Sequence, residues 1–178
     1  NINFIPKIPK HNKFQINAIK TELPGIMTFR EKIKINKTFS SWDIILQKYN
    51  LCHLCVIERH GINGEFSHGF LQNFNLKYGA VASSVGHDAH NIIVAGNNEN
   101  DMRYATQLIE NYQGGVVIVN NGKLVSSLKL PIAGLLSDKK ANEVAKENKI
   151  FKNYWSKAGC SLPYMGFNLL PLSVIPNF

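Results

Sequence analysis

The sequence lacks most of the features that would fix a function at sight. Its apolar runs break well short of the roughly 18 residues that suggest a membrane span. The opening Asn1-Ile2-Asn3-Phe4-Ile5-Pro6-Lys7 has no basic segment followed by a signal-like apolar core. A soluble, cytoplasmic chain with no membrane partner is the expectation. Cysteine is scarce: Cys52, Cys55 and Cys160 are all there are. Cys52-His53-Leu54-Cys55 has the spacing of a redox or zinc motif, but it runs straight into Val56-Ile57, and no second Cys-x-x-Cys supplies the other ligands of a four-thiolate site. Strand alternation would also turn Cys52 and Cys55 to opposite faces, so both read as strand-filling residues. Neither glycine-rich phosphate signature, Gly-x-x-x-x-Gly-Lys-Ser/Thr or Gly-x-Gly-x-x-Gly, occurs, and no repeat is evident.

What is present suffices for one domain. The chain has 178 residues, of which 44% are hydrophobic, enough for a sizeable core. Lysine and arginine total 20 against 12 acidic residues, a formal charge of +8. Much of the excess lies early, in Lys7, Lys10, Lys13, Lys20, Arg30, Lys32, Lys34 and Lys37. Such a surface attracts polyanions. No arginine-rich helix or aromatic-basic alternation makes it a recognition module, so it reads as a solvated lysine face. A basic nucleic-acid interaction domain is the non-enzymatic alternative.

Residues 1–12, broken by Pro6 and Pro9, read as an extended N-terminal approach that is loosely ordered, and residues 13–178 as the domain. Phe14 to Ile19 alternates as a strand; Leu23-Pro24-Gly25 signals a turn; Ile26 to Ile35 gives a second strand. Ser40-Ser41-Trp42-Asp43 suggests a capping box before a short helix through Tyr49. Strands follow at Leu51 to Ile57, around Gly69-Phe70-Leu71, and on either side of residues 86–91. Asn98 and Asp101 announce a helix carrying Met102, Ala105, Leu108, Ile109 and Tyr112 on one face, stopped by Gly114-Gly115. Val116 to Val119 and Leu124 to Leu130 form a hairpin through Asn120-Asn121-Gly122. Ser137 or Asp138 begins a further helix with a stripe at Ala141, Val144, Ala145, Asn148, Phe151 and Trp155. Pro163, Pro171 and Pro176 favour an extended tail. The fold class is α+β, a mixed or antiparallel sheet with two to three packed helices.

Two polar clusters stand beside strand-like runs. Glu58-Arg59-His60 follows Leu51 to Ile57 at once. There Arg59 can hold a carboxylate or a purine acceptor, Glu58 can receive an amine proton or pair with Arg59, and His60 can do either job. His87-Asp88-Ala89-His90-Asn91 lies between Val81 to Gly86 and Ile92 to Gly96. Its histidines can donate, accept or ligate near neutral pH, and Asp88 can orient one of them. The plain alternative is that Asp88 and Asn91 cap a turn while the histidines are satisfied locally. An enzymatic alternative makes His87-Asp88-Ala89-His90 a metal site of its own, and the chain an independent metal-dependent hydrolase domain.

Taken together and in order, several segments resemble the C-terminal domain of bacterial and archaeal adenine deaminases, over roughly residues 44–178. They are Val56-Ile57-Glu58-Arg59-His60, Gly79-Ala80-Val81-Ala82-Ser83-Ser84-Val85-Gly86-His87-Asp88-Ala89-His90-Asn91, Gly114-Gly115, Leu130-Pro131-Ile132-Ala133-Gly134-Leu135-Leu136-Ser137-Asp138 and Val174-Ile175-Pro176. Gly86 and Ala89 stand where that family commonly has Ala and Ser, which removes a hydroxyl but keeps both histidines, the aspartate and the asparagine. The resemblance implies hydrolysis of adenine to hypoxanthine and ammonia, with Mn²⁺ or Fe²⁺ held mainly by an upstream metallo-dependent hydrolase barrel. No His-x-His or following array of barrel ligands is present, and such a barrel takes roughly 250 residues. The chain alone is therefore expected to be inactive and to hold no cofactor or metal of its own. Its implied partners are the barrel and, in the complete enzyme, adenine; a homo-oligomer is left open. Glu58, Arg59, His60, His87, Asp88, His90 and Asn91 are the residues placed near an interdomain face, positioning substrate or orienting other groups.

Overall fold

The computed structural model describes residues 2–10, 13–21, 28–36 and 41–172, so Leu23-Pro24-Gly25, Ser40 and Val174-Ile175-Pro176 lie outside the described residues. The strands are β1 (Lys13–Thr21), β2 (Thr28–Asn36), β3 (Leu51–Ile57), β4 (Phe66–Gln72), β5 (Ala80–Gly86), β6 (Asn91–Gly96), β7 (Gly115–Asn120) and β8 (Lys123–Lys129). The helices are α1 (Trp42–Tyr49), α2 (Glu99–Asn111), α3 (Ala141–Lys157) and α4 (Tyr164–Phe167). The strands form one eight-stranded sheet in the order β2-β1-β4-β3-β6-β5-β7-β8. Every neighbouring pair is antiparallel except β1 and β4, so the sheet is mixed and the fold is α+β.

Both faces of the central strands are covered, which is why Val116-Val117-Ile118-Val119 is apolar throughout instead of alternating. On one face Met102, Ala105, Leu108 and Ile109 of α2 meet Cys55, Ile57, Ala82, Val94 and Val117. On the other, Phe151 and Trp155 of α3 meet Cys52, Leu54, Leu71, Ile93 and Ile118. Each of the larger side chains contributes about 1.5–3 kcal/mol by leaving water. The two cysteines of Cys52-His53-Leu54-Cys55 thus fill opposite cores, as strand alternation requires. Burial pushes the Cys55 and Cys160 thiols up to about 12, which keeps them protonated and unreactive.

Several local readings are refined. Ser41 is the N-cap of α1 but makes no side-chain capping bond, so the capping box does not form on that residue. The cap of α2 does form: Asn98 Oδ1 accepts the Asp101 N–H at 2.9 Å. Helix α3 begins at Ala141, later than Ser137 or Asp138, because Ser137 Oγ is taken up accepting the Lys139 N–H at 3.2 Å. Of its expected stripe, Phe151 and Trp155 are buried while Ala141 and Ala145 face solvent. The tail is not simply extended, since Pro163 opens the one-turn α4, which buries Phe167. Residues 2–10 of the N-terminal approach form no regular element, yet they are tied to the domain. Phe4 is buried against α2, the Pro6 carbonyl accepts from Trp42 Nε1 at 2.6 Å, and Arg103 lies over the Phe4 ring.

A buried imidazole pair was hidden inside the cysteine motif. His53 is fully buried on β3, and its Nδ1 is 3.1 Å from Nε2 of His68 on β4, with Trp42 and Phe70 against the rings. His53 Nε2 has no partner. With His53 Nδ1 as donor, that orphan is a bare lone pair instead of a more costly unpaired N–H. Burial, and secondarily the neighbouring His68, lowers His53 from 6.5 to about 3, and burial lowers His68 from 6.5 to about 4.

The unfolded chain therefore binds protons below pH 6.5 that the folded chain refuses, so stability falls as pH drops from 6.5 towards 4. The loss at pH 4 is on the order of 3 kcal/mol for the fully buried His53 and smaller for His68, which is partly exposed and already partly protonated there. Urea unfolding followed across this range should show that slope, and the His53→Phe/His68→Phe double variant should flatten it. A second structural clamp is buried Asp101, whose carboxylate accepts the Asn121 and Gly122 N–H groups at 3.1 and 2.7 Å and Asn98 Nδ2 at 2.9 Å. It ties the β7–β8 turn to the start of α2. Asp101→Ala should cost about 2–3 kcal/mol in the same assay.

Candidate functional site

The strand register brings the polar segments to one end of the sheet. Ile57 pairs with Ile92, Gly86 with Asn91, Ser83 with Val116 and Gly115 with Lys129. Consequently β3 ends, β5 turns into β6, β7 begins and β8 ends side by side. Glu58-Arg59-His60 emerges from β3, residues 86–91 make the β5–β6 turn, and residues 130–138 leave β8. The first two of these segments are the polar clusters read from the sequence.

Arg59 joins them. Its Nε donates to the His90 carbonyl at 2.5 Å, and one terminal nitrogen donates to the Ala133 carbonyl at 2.8 Å. Gly134 lies flat against the guanidinium, so a Cβ there would fall 2.7 Å from a terminal nitrogen and 2.9 Å from Cζ. Gly134 also has φ +75°, a backbone state that disfavours any side chain. Beneath it, Ser84 Oγ donates to the Gly134 carbonyl at 2.6 Å and accepts the Gly115 N–H at 2.8 Å. Gly114 completes the fit, since a Cβ on it would meet Gly134 Cα and lie 3.0 Å from Ser84 Oγ. Arg59 is thus spent on backbone carbonyls and forms no pair with Glu58. A cavity of about 380 Å³ opens beside it on the α2 face, walled by Ile57, Ile92, Ile109 and Ser84.

Glu58 acts on its own loop. Its carboxylate accepts the backbone N–H of His60, and those of Ile62, Asn63 and Gly64 at 3.2, 3.4 and 3.1 Å. Desolvation pushes its pKa up, but the donors from Gly64, His60, Asn63 and Ile62 outweigh this and hold it below the ordinary carboxylate value. The group is therefore an anion that organises residues 60–64 and is a poor proton carrier. His60 reaches across to the turn, with Nε2 2.7 Å from the Ala89 carbonyl. A carbonyl only accepts, so the proton sits on His60 Nε2 and its Nδ1 is left as an acceptor.

The turn itself is closed by the His90 N–H donating to the Gly86 carbonyl at 2.6 Å and the His87 N–H donating to the Asn168 carbonyl at 2.8 Å. His90 takes the left-handed conformation, φ 53°, and the His87 and His90 rings meet edge to face at 5.7 Å. His87 Nε2 lies 2.5 Å from Asp88 Oδ1, with both side chains about half exposed. When Nε2 donates to Asp88, Nδ1 is left as an acceptor. His90 Nδ1 and Asn91 Oδ1 are buried without partners, as is Asn168 Oδ1. Among the described residues no three His, Cys, Asp or Glu side chains converge to hold a metal ion. The turn offers hydrogen bonds and a place for a proton, and no metal shell.

The seven candidate residues are therefore brought to one face, in different capacities. His60, His87 and Asp88 present exposed titratable side chains; Arg59 and Glu58 fix backbone; His90 offers its carbonyl to Arg59 and its ring to His87; Asn91 lies at the start of β6. Sequence reasoning missed Ser84, Ala133, Gly134 and Asn168. Ser84 carried a signal as a polar residue in an otherwise apolar strand, and Ala133-Gly134 as a small pair after Pro131. Asn168 carried none, because it contributes a backbone carbonyl.

The fit of Gly134 on Arg59 makes a non-additive prediction. Gly134→Ala should cost about 2 kcal/mol in the wild-type chain. The same change should cost measurably less in an Arg59→Ala background, where the collision is gone. Urea unfolding of the four proteins checks this, and strict additivity would separate the two residues.

Comparison with known proteins gives these segments a family. The profile of the adenine deaminase C-terminal domain matches residues 26–178. The chain is 57% identical over 163 residues to adenine deaminase 2 of Bradyrhizobium sp. (strain ORS 278), covering 91% of this chain and 27% of that protein. It is 53% identical over 177 residues to the adenine deaminase of Chelativorans sp. (strain BNC1), covering 99% of this chain and 29% of that protein. It is 43% identical over 130 residues to the adenine deaminase of Moorella thermoacetica, covering 72% of this chain and 22% of that protein. The chain thus spans under a third of the length of these curated relatives. With a family profile over most of its length and the same motifs gathered at one end of its sheet, the chain belongs to the adenine deaminase C-terminal domain family.

Proposed function

We propose that the chain is the C-terminal domain of an adenine deaminase and contributes to the hydrolysis of adenine to hypoxanthine and ammonia. The observation that carries this reading is that His60, His87 and Asp88 lie together on one open face, with Arg59 holding the turn behind them. The match to relatives named adenine deaminase, of which the chain spans under a third, supports it. The remaining chemistry belongs to an upstream barrel. The Mn²⁺ or Fe²⁺ expected of such an enzyme would be held there; among the described residues of this chain no three His, Cys, Asp or Glu side chains come together to hold one.

Deamination adds water at adenine C6 and breaks the C6–N bond, with a proton delivered to the departing amine. The chain's own contribution is to place hydrogen-bonding groups against the purine. A His87 imidazole held through Nε2 by Asp88 presents Nδ1 as an acceptor for a purine N–H, and stays oriented if it takes a proton. His60, held through Nε2 by the Ala89 carbonyl, presents a second acceptor. Arg59 keeps the turn in place from behind, and Glu58 does so for residues 60–64. In this reading the chain alone does not turn over adenine, and the complete enzyme is cytoplasmic.

The test is kinetic and uses the complete enzyme. His87→Ala and Asp88→Ala should lower adenine turnover by about 10²-fold, whereas Cys52→Ala and Cys55→Ala should alter stability more than turnover. Thermal unfolding and metal content measured alongside separate a catalytic loss from an unfolded or metal-poor protein. Wild-type turnover in folded, metal-replete His87→Ala and Asp88→Ala enzymes would remove the site assignment.

A further inference from the structure

The exposed large apolar side chains are not evenly spread. Ile44, Leu124, Ile150 and Met165 stand singly on α1, the far end of the β7–β8 hairpin, α3 and α4. The other four belong to the end that carries the site. Ile62, 81% exposed, and Phe66 belong to the β3–β4 connection and its first strand residue; Ile132 and Leu136, 49% and 63% exposed, belong to the loop after β8. Single exposed apolar residues need no explanation, but a group of them rimmed by polar side chains marks a surface that another body covers.

The geometry points to this end as the docking surface for the catalytic portion of the same polypeptide, with Ile62, Ile132 and Leu136 as its apolar anchors and His60, His87 and Asp88 facing the shared cleft. The inference rests on the adenine deaminase reading and adds the surface through which that reading works.

Three observations favour this occupant. First, the loops are already set. Glu58 binds the backbone of residues 60–64, Arg59 and Ser84 hold Ala133 and Gly134, and Ile132 and Leu136 exchange both N–H···O bonds at 3.0 Å. A surface held in one shape loses little freedom on docking. Second, the relatives extend far beyond what this chain matches, with at most 29% of their length covered, so in those relatives a large body shares the polypeptide with the matching domain. Third, His60, His87, Asp88 and Ala89 lie open to solvent among the described residues. Purine hydrolysis needs bulk water excluded from the reacting groups, and one wall of loop tips cannot do that alone. A second copy of this chain would bring another set of the same side chains and no metal shell.

Hydrogen exchange of this chain alone and of the complete enzyme tests the surface directly. Peptides covering residues 60–64 and 131–137 should exchange about tenfold more slowly in the complete enzyme. Peptides covering the β7–β8 turn and Ile150 should exchange alike in both. Ile132→Asp with Leu136→Asp should leave the melting temperature of the isolated chain unchanged, since both side chains are exposed, and should abolish the protection of residues 60–64 in the complete enzyme. Leu124→Asp should do neither. Equal exchange in the two proteins would overturn the inference. So would protection in the isolated chain that grows with its concentration, which would assign the surface to a second copy. Adenine turnover measured on the same complete enzyme separates the two readings. Protection without turnover keeps the docking surface and removes the substrate, while turnover without protection removes the docking surface alone.

Discussion

The guanidinium of Arg59 is the constraint on which the polar face depends. It leaves the end of β3, reaches the turn between β5 and β6, and holds the loop that follows β8, three segments with no covalent reason to be near one another. Its donors are directed at backbone carbonyls, so what it fixes is chain path and not side-chain choice. A planar guanidinium can serve two carbonyls at once in a way that a lysine ammonium on a flexible stem would not. The flat side of that plane is closed by Gly134, and Gly134 is held in turn by Ser84 and Gly114. The smallness of Gly134 is thus set by the guanidinium, that of Gly114 by the Gly134 backbone and the Leu130 carbonyl, and that of Gly115 by the Leu128 carbonyl of β8.

Much of this was legible in the sequence, and the remainder was not for definite reasons. The strands around residues 86–91 and the β7–β8 hairpin could be read because apolar runs bounded by Gly, Asn and Asp admit few other structures. The cap on α2 could be read because Asn98 and Asp101 stand at capping distance. The polar clusters were visible as chemistry but not as geometry. Arg59 could have gripped a carboxylate, a purine or Glu58, and only the sheet order brings two carbonyls within its reach. His53 stayed hidden because its neighbours drew attention to thiol chemistry, although the alternation that separates Cys52 from Cys55 also turns His53 towards His68. The late start of α3 and the turn of helix after Pro163 depend on single hydrogen bonds and on packing under Trp155, which pattern alone does not weigh.

The division of labour among the candidate residues follows from what each polar group has left to offer. Glu58, with its backbone donors, and Arg59, with its two carbonyls, are largely committed inside this chain. His60 and His87 each have one nitrogen engaged by an acceptor and are otherwise exposed, leaving the other nitrogen uncommitted by these contacts. Imidazole is the side chain that can be oriented through one nitrogen and still act through the other, so the two histidines can be both fixed and available. The carboxylate and the guanidinium, by contrast, are useful here because they are used up.

All of these arrangements meet on β3. Leu51 lies in the cluster under α1, Cys52 and Leu54 in the cluster under α3, and Cys55 and Ile57 in the cluster under α2. His53 between them faces His68 and Trp42. The strand is paired on both sides, to β4 along its length and to β6 from His53 to Ile57, and then delivers Glu58, Arg59 and His60. A slip of one residue would exchange its two faces, putting His53 into the α3 core in place of Cys52 or Leu54. It would also move Arg59 by roughly 3.3 Å along the strand, beyond hydrogen-bond reach of both carbonyls it now serves. The packing that fixes the register of β3 is therefore the same packing that aims Arg59, and through Arg59 it bears on the position of the His87–Asp88 turn.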